Sequence, residues 1–179
     1  MAGNRGETGF VREDSERERL PFDPIEQAAR LWSRQWEETP RMRAVTSLMR
    51  VHQLVLTELD ELLRPLGLTF ARYEVLVLLS FSRRGALPLG KIGQRLQVHA
   101  TSVTPLVKRL ENAGLINRIP HPEDGRAVLA SITPRGRAVM EQATAAIVGA
   151  RFALGSLSEE DCDRLTDLLT PPRAAAGDF

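Results

Sequence analysis

Residues 87–116 read LPLGKIGQRLQVHATSVTPLVKRLENAGLI. Leu89, Ile92 and Leu96 recur at helical spacing, and so do Val103, Leu106, Val107 and Leu110. The intervening QVHA is too short for anything but a tight turn, and Gly114 sits where a helix ends on a left-handed residue. Two short helices joined by a tight turn make a helix-turn-helix. A competing reading begins two residues earlier. GALPLGKI, residues 85–92, follows the glycine spacing of a phosphate-binding loop, GxxxxGK[ST]. That loop needs a hydroxyl after its lysine to hold Mg²⁺, and Ile92 stands there; Pro88 also removes a backbone donor. The nucleotide reading fails, and Lys91 belongs on the first helix of the pair.

Working outward, Leu115–Pro120 and Ala127–Thr133 are β-rich, and HPEDGR between them is turn chemistry, so a hairpin follows the second helix. Thr133-Pro134 supplies an N-cap and a proline at the first helical position, opening a helix to about Leu154. Ser158 caps a last helix that Pro171-Pro172 should end. Upstream, Thr69 caps a helix through Arg84, and residues 41–67 form the longest periodic segment, closed by Pro65 and Gly67. A short helix from Pro24 should stop at Pro40. The fold class is mainly α with a small β-hairpin: a winged helix-turn-helix flanked by N- and C-terminal dimerisation helices. Residues 1–20 read as a disordered tail and 173–179 as a second tail. The winged helix-turn-helix takes 67–133, and 21–66 with 134–172 make the helical dimerisation region.

The whole chain of 179 residues carries a formal charge of only +1. The distribution is uneven. From Arg83 to Arg137 there are ten lysines and arginines against three acids, Glu111, Glu123 and Asp124. A basic middle between acidic flanks is the footprint of phosphate neutralisation. The start lacks the apolar core of a signal peptide and no run is long enough to span a bilayer, so no membrane partner is expected and the chain reads as cytoplasmic and nucleoid-associated. No nucleophile, acid–base pair or cofactor loop converges, which argues against an enzyme and against a cofactor. His52, His99, His121 and Cys162 share no metal-ligand spacing.

With these pieces in order, the sequence resembles the multiple-antibiotic-resistance regulator (MarR) family over roughly residues 41–170. The resemblance is carried by LTFARYEVLVLL, TSVTPLVKRLENAGLINR and PEDGRAVLASITPRGRA, including Asp124-Gly125-Arg126 in the hairpin and ITPRG after it. It implies a ligand-responsive regulator, more often a repressor, that binds double-stranded DNA as a homodimer on a pseudo-palindrome.

The second helix of the motif should enter the major groove with its N-terminal residues at base edges. Thr101, Ser102 and Thr104 offer short hydroxyls, and Val103 or the Pro105 ring can meet a thymine methyl. Pro105 places the helix start at about Thr101 or Ser102. Lys108, Arg109 and Arg118 supply charge for phosphates, and Arg126 at the wing tip suits a narrow minor groove, with Asp124 orienting it. Where the family often has a second wing arginine, this chain has Gly125.

A single recognition helix contacts too few bases for specificity, so a two-fold dimer is expected, built from the N-terminal helix and the last helices with Leu157, Leu165, Leu168 and Leu169. The resemblance also implies a pocket for a small aromatic or anionic effector, with Trp32, Trp36, Met49, His52, Tyr73 and Glu74 as candidates. The tryptophan helix and the acid in RYEVL are similar to the urate-responsive branch, which has an arginine where this chain has Leu106. VTPLVKRLE is similar to the organic-peroxide-sensing branch, whose cysteine lies near the N-terminus. Here the sole cysteine, Cys162, lies among Glu159, Glu160, Asp161 and Asp163, not in the electropositive setting of a reactive thiol. The alternatives are a winged-helix protein-interaction module and a redox-responsive regulator using Cys162.

Overall fold

The computed structural model describes residues 20–96, 100–121 and 128–179. Two compact units divide the chain, one up to Arg50 and one from Val51 to Phe179.

The first unit holds helix α1, Pro24–Trp32, whose N-cap Asp23 accepts from the Ile25 and Glu26 amides. Helix α2, Thr39–Leu63, begins in this unit. Pro40 was expected to stop a helix and instead stands in the first turn of α2. The first turn has no intrahelical use for the missing N–H, so proline is tolerated there. Arg43 pairs with Glu26, and Arg41 with Glu38.

The second unit contains the rest of α2, helix α3 at Phe70–Ser80, strand β1 at Ala86–Pro88, helix α4 at Leu89–Arg95 and helix α5 at Ala100–Asn112. Strands β2, Ile116–Pro120, and β3, Val128–Ile132, follow, then helices α6, Pro134–Gly149, and α7, Glu159–Ala175. Thr69 caps α3 as expected, accepting from the Arg72 amide, but α3 ends at Ser80 rather than Arg84. Helix α5 begins at Ala100, so Pro105 lies inside it and not in its first turn. Helix α7 runs on through Pro171 and Pro172 to Ala175. Both prolines are exposed, where water can take the carbonyls whose N–H partners they remove.

The hairpin is part of a three-stranded antiparallel sheet in the order β1-β3-β2. Ala86 pairs with Ser131 and Pro88 with Leu129, while Ile116 faces Ile132 on the other side. GALPLGK is therefore a strand running into a helix. Ile92 is fully buried, and the Lys91 ammonium lies 3.5 Å from the Gln94 amide oxygen.

One apolar core organises this unit. Leu59 and Leu63 of α2, Val75, Leu76 and Leu79 of α3, and Ile92 of α4 pack with Val103, Val107 and Leu110 of α5, Ile116 of β2, and Ala143 and Ile147 of α6. Each fully buried leucine or isoleucine contributes about 1.5–3 kcal/mol. The helix-turn-helix is thus mounted on α3 and α6. Between α6 and α7, Arg151, Phe152 and Ala153 all take left-handed φ near +50° to +58°, a costly conformation for non-glycine residues. Among the described residues no helix is long and apolar enough to cross a membrane.

Candidate nucleic-acid interface

Helix α5 separates its residues cleanly. Val103, Val107 and Leu110, at i, i+4 and i+7, face the core, and the opposite surface exposes Ser102, Thr104, Pro105, Lys108 and Arg109. Thr101 lies in the first helical turn. Val103 must be withdrawn as a thymine contact. It is 2% exposed and part of the core, so it cannot reach a base without unpacking the helix. The exposed Pro105 ring is the apolar surface left for that role. Asp124 and Arg126 lie outside the described residues.

Few of the cations around this face are held in ion pairs. In the flanks four arginines meet carboxylates, Arg41 with Glu38, Arg43 with Glu26, Arg164 with Glu160 and Asp161, and Arg173 with Asp178, while among the described residues the salt bridges include none from Arg30, Arg34, Arg50, Arg64, Arg72 or Arg151. Among the described residues of the central segment Arg118 is the one that pairs, 3.3 Å from Glu111. Among the described residues, the salt bridges include none from Arg83, Arg84, Lys91, Arg95, Lys108, Arg109, Arg135 or Arg137. All eight are exposed. Unpaired exposed cations beside a polar helix face are free to neutralise phosphates and so release the cations condensed on a duplex. Arg118 was expected to serve phosphate; in the single chain its pairing with Glu111 ties β2 to α5.

The end of α5 is fastened in a way local sequence signals do not reveal. Thr133 caps α6, accepting from the Gly136 amide at 2.9 Å, as expected. Its hydroxyl also donates to the carbonyls of Gly114 and Leu115, at 2.9 and 3.1 Å, which terminate α5.

The effector candidates divide between the units. In the first, Trp32 and Trp36 approach with ring centroids 6.2 Å apart, and the Trp32 indole N–H donates to the Glu37 carbonyl. Trp36 and Met49 are largely exposed, at 63% and 55%. In the second, His52 is exposed on α2. Tyr73 is buried, its hydroxyl 3.1 Å from that of Thr144 on α6. Both line a cleft of about 300 Å³ with Val77, Phe81, Met140 and Glu141. Of the six candidates Tyr73 alone lines this cleft, and the α6 residues opposite it were not foreseen, because helix spacing alone does not show which helix faces which.

Glu74 is half-buried on α3, and burial pushes its carboxyl above the usual range. A carboxyl raised on folding stabilises the native state below its ordinary value and costs stability once ionised. Glu74→Gln is therefore expected to raise the melting temperature at pH 7. The gain should shrink as pH falls from the raised folded value towards 4.5, the ordinary carboxyl value, and be gone below it. Thermal melts of both proteins across that range check it, and a gain that does not narrow in acid contradicts it.

Comparison with known proteins places this geometry. The MarR family model matches residues 68–128, from the start of α3 to the wing. The organic hydroperoxide resistance transcriptional regulator of Bacillus subtilis is 36% identical over 108 residues, covering 60% of this chain and 71% of that protein. A MarR family transcriptional regulator from Streptomyces coelicolor is 51% identical with a TM-score of 0.73, covering 78% of this chain and 97% of that one. A C80S mutant of MarR from Escherichia coli, solved with operator DNA, is 26% identical with a TM-score of 0.59, covering 72% and 94%.

Proposed function

The chain belongs to the MarR family, and from that premise we propose that it is a sequence-specific DNA-binding transcriptional repressor that acts as a homodimer in the cytoplasm, on the nucleoid. The observation that carries this reading is the polar face of α5, Ser102, Thr104, Pro105, Lys108 and Arg109, set among eight unpaired exposed cations. The residues proposed to read DNA are Thr101, Ser102, Thr104 and Pro105 at base edges, Lys108 and Arg109 at phosphates, and Arg126 with Asp124 in the minor groove. The operator complex of the 26% identical relative supports the same use of this fold.

Dimerisation is supported by apolar surface. Val45, Leu48 and Met49 in the first unit, and Val51, Leu54 and Leu168 in the second, are all exposed in the single chain. Large apolar side chains exposed on helices of this kind are what a second copy of the chain would cover.

Release by a small molecule is supported by the Tyr73 cleft. Its apolar walls and the Tyr73 and Thr144 hydroxyls suit a small aromatic ligand. Glu141 at its edge opposes an anion, so a neutral ligand fits the cleft better than an anionic one. Trp32, Trp36, Met49, His52 and Glu74 do not line this cleft and are not among the contacts proposed for the ligand. A ligand that binds one dimer geometry better than the other shifts the population away from the DNA-competent form.

The test is the salt dependence of binding. Each phosphate contact contributes about 0.9 to the slope of log affinity against log salt. Lys108→Ala combined with Arg109→Ala removes two contacts per protomer, and is expected to lower the slope by about 3–4 for a dimer. An unchanged slope would remove α5 from the phosphate backbone.

A further inference from the structure

We propose that Thr133 is a positioning residue for DNA recognition: it fixes the rotation and axial position of α5 from its C-terminal end, without itself reaching DNA. The inference rests on the reading of α5 as the recognition helix.

Helix α5 ends at Asn112, and the turn after it passes through Gly114 at φ +68°, with the Gly114 amide donating to Glu111 and the Leu115 amide to Leu110. This turn aims the carbonyls of Gly114 and Leu115 at the start of α6. The Thr133 amide donates to the Leu115 carbonyl at 3.0 Å. The single Thr133 hydroxyl proton is shared between the Gly114 and Leu115 carbonyls, a three-centre arrangement common at helix ends. The oxygen of the same hydroxyl accepts from the Gly136 amide. One side chain therefore ties the turn that follows α5 to the first turn of α6.

Gly136 makes the closeness possible. A Cβ built there would lie 2.0 Å from the Leu115 carbonyl oxygen. The Arg135 guanidinium also reaches the Gly114 turn.

The core alone does not set this aim. Val103, Val107 and Leu110 hold α5 against its neighbours through apolar contact, which is non-directional and lets a helix roll or slide as rotamers adjust. Hydrogen bonds require distances near 2.9 Å and near-linear geometry, so a joint built from them fixes roll and register. Misaiming the helix removes base contacts and leaves general attraction to the backbone untouched.

The experiment separates these two quantities. The probes are the duplex that the wild-type chain enriches from a random-sequence library and a scrambled duplex of equal composition. Thr133→Val keeps the shape and removes the hydroxyl. The ratio of selected to scrambled affinity is expected to fall about 10-fold or more, the scale of losing a base-pair contact. Affinity and salt slope on the scrambled duplex should stay as in wild type. Thr133→Ser should restore the ratio. Should Thr133→Val not fold, Thr133→Asp serves, because its carboxylate keeps the cap on Gly136 but cannot donate to Gly114 or Leu115. A folded Val or Asp variant with the wild-type ratio overturns the proposal while leaving the DNA-binding reading intact. A wild-type chain that enriches no sequence overturns both.

Discussion

Gly136→Ala is expected to destabilise the protein by about 3 kcal/mol or more, at the upper end of what overpacking a rigid site costs. The added methyl group would meet the Leu115 carbonyl oxygen at 2.0 Å and its carbon at 2.9 Å. Those are backbone atoms fixed by hydrogen bonds from Thr133, so no side chain can rotate away. For a chain of this size the loss corresponds to a fall in melting temperature of about 6–12 °C. Gly90, in α4, is the internal control. An alanine Cβ there meets nothing within 4 Å, and the same substitution is expected to be neutral or to stabilise by up to about 1 kcal/mol. Equal melting temperatures for the two variants would mean that α6 does not approach the Leu115 carbonyl so closely.

Arg126→Ala is expected to abolish specific DNA binding and leave the melting temperature within about a degree of wild type, as for a surface substitution. A charge-assisted contact to a narrow minor groove is worth about 1.5–3 kcal/mol. A two-fold dimer makes it twice, so affinity for the selected duplex should drop about 10²–10⁴-fold. Gly125 precedes it in the sequence, so no neighbouring arginine substitutes for it. Direct titration of labelled duplex measures the effect, and unchanged affinity would take Arg126 out of the interface.

The parts of this fold that were legible in the sequence are those written in local signals. Thr69 and Thr133 as caps, Gly114 as a left-handed terminus and the apolar spacing of α4 and α5 each act within one helical turn. Strand β1 was not legible. It is three residues long and exists because Ala86 pairs with Ser131, a partner 45 positions away that no periodicity announces. Pro40 and the Pro171-Pro172 pair were misread because proline marks both the start and the stop of helices, and only the neighbouring turns decide which.

The site was half legible. Ser102, Thr104, Pro105, Lys108 and Arg109 came out on the exposed face. Val103 did not, though its spacing to Val107 and Leu110 already put it on the buried stripe. The pairing of Arg118 with Glu111, and the second pair of hydrogen bonds made by Thr133, depend on elements meeting in space. So does the Thr144 side of the Tyr73 cleft.

Hydroxyl-radical footprinting of the purified chain on its selected duplex asks the central question most directly. Two copies of α5 in successive major grooves should protect two patches on one face of the duplex, about 10 base pairs apart, related by a two-fold axis. A single patch, or uniform protection that does not depend on sequence, would contradict the account.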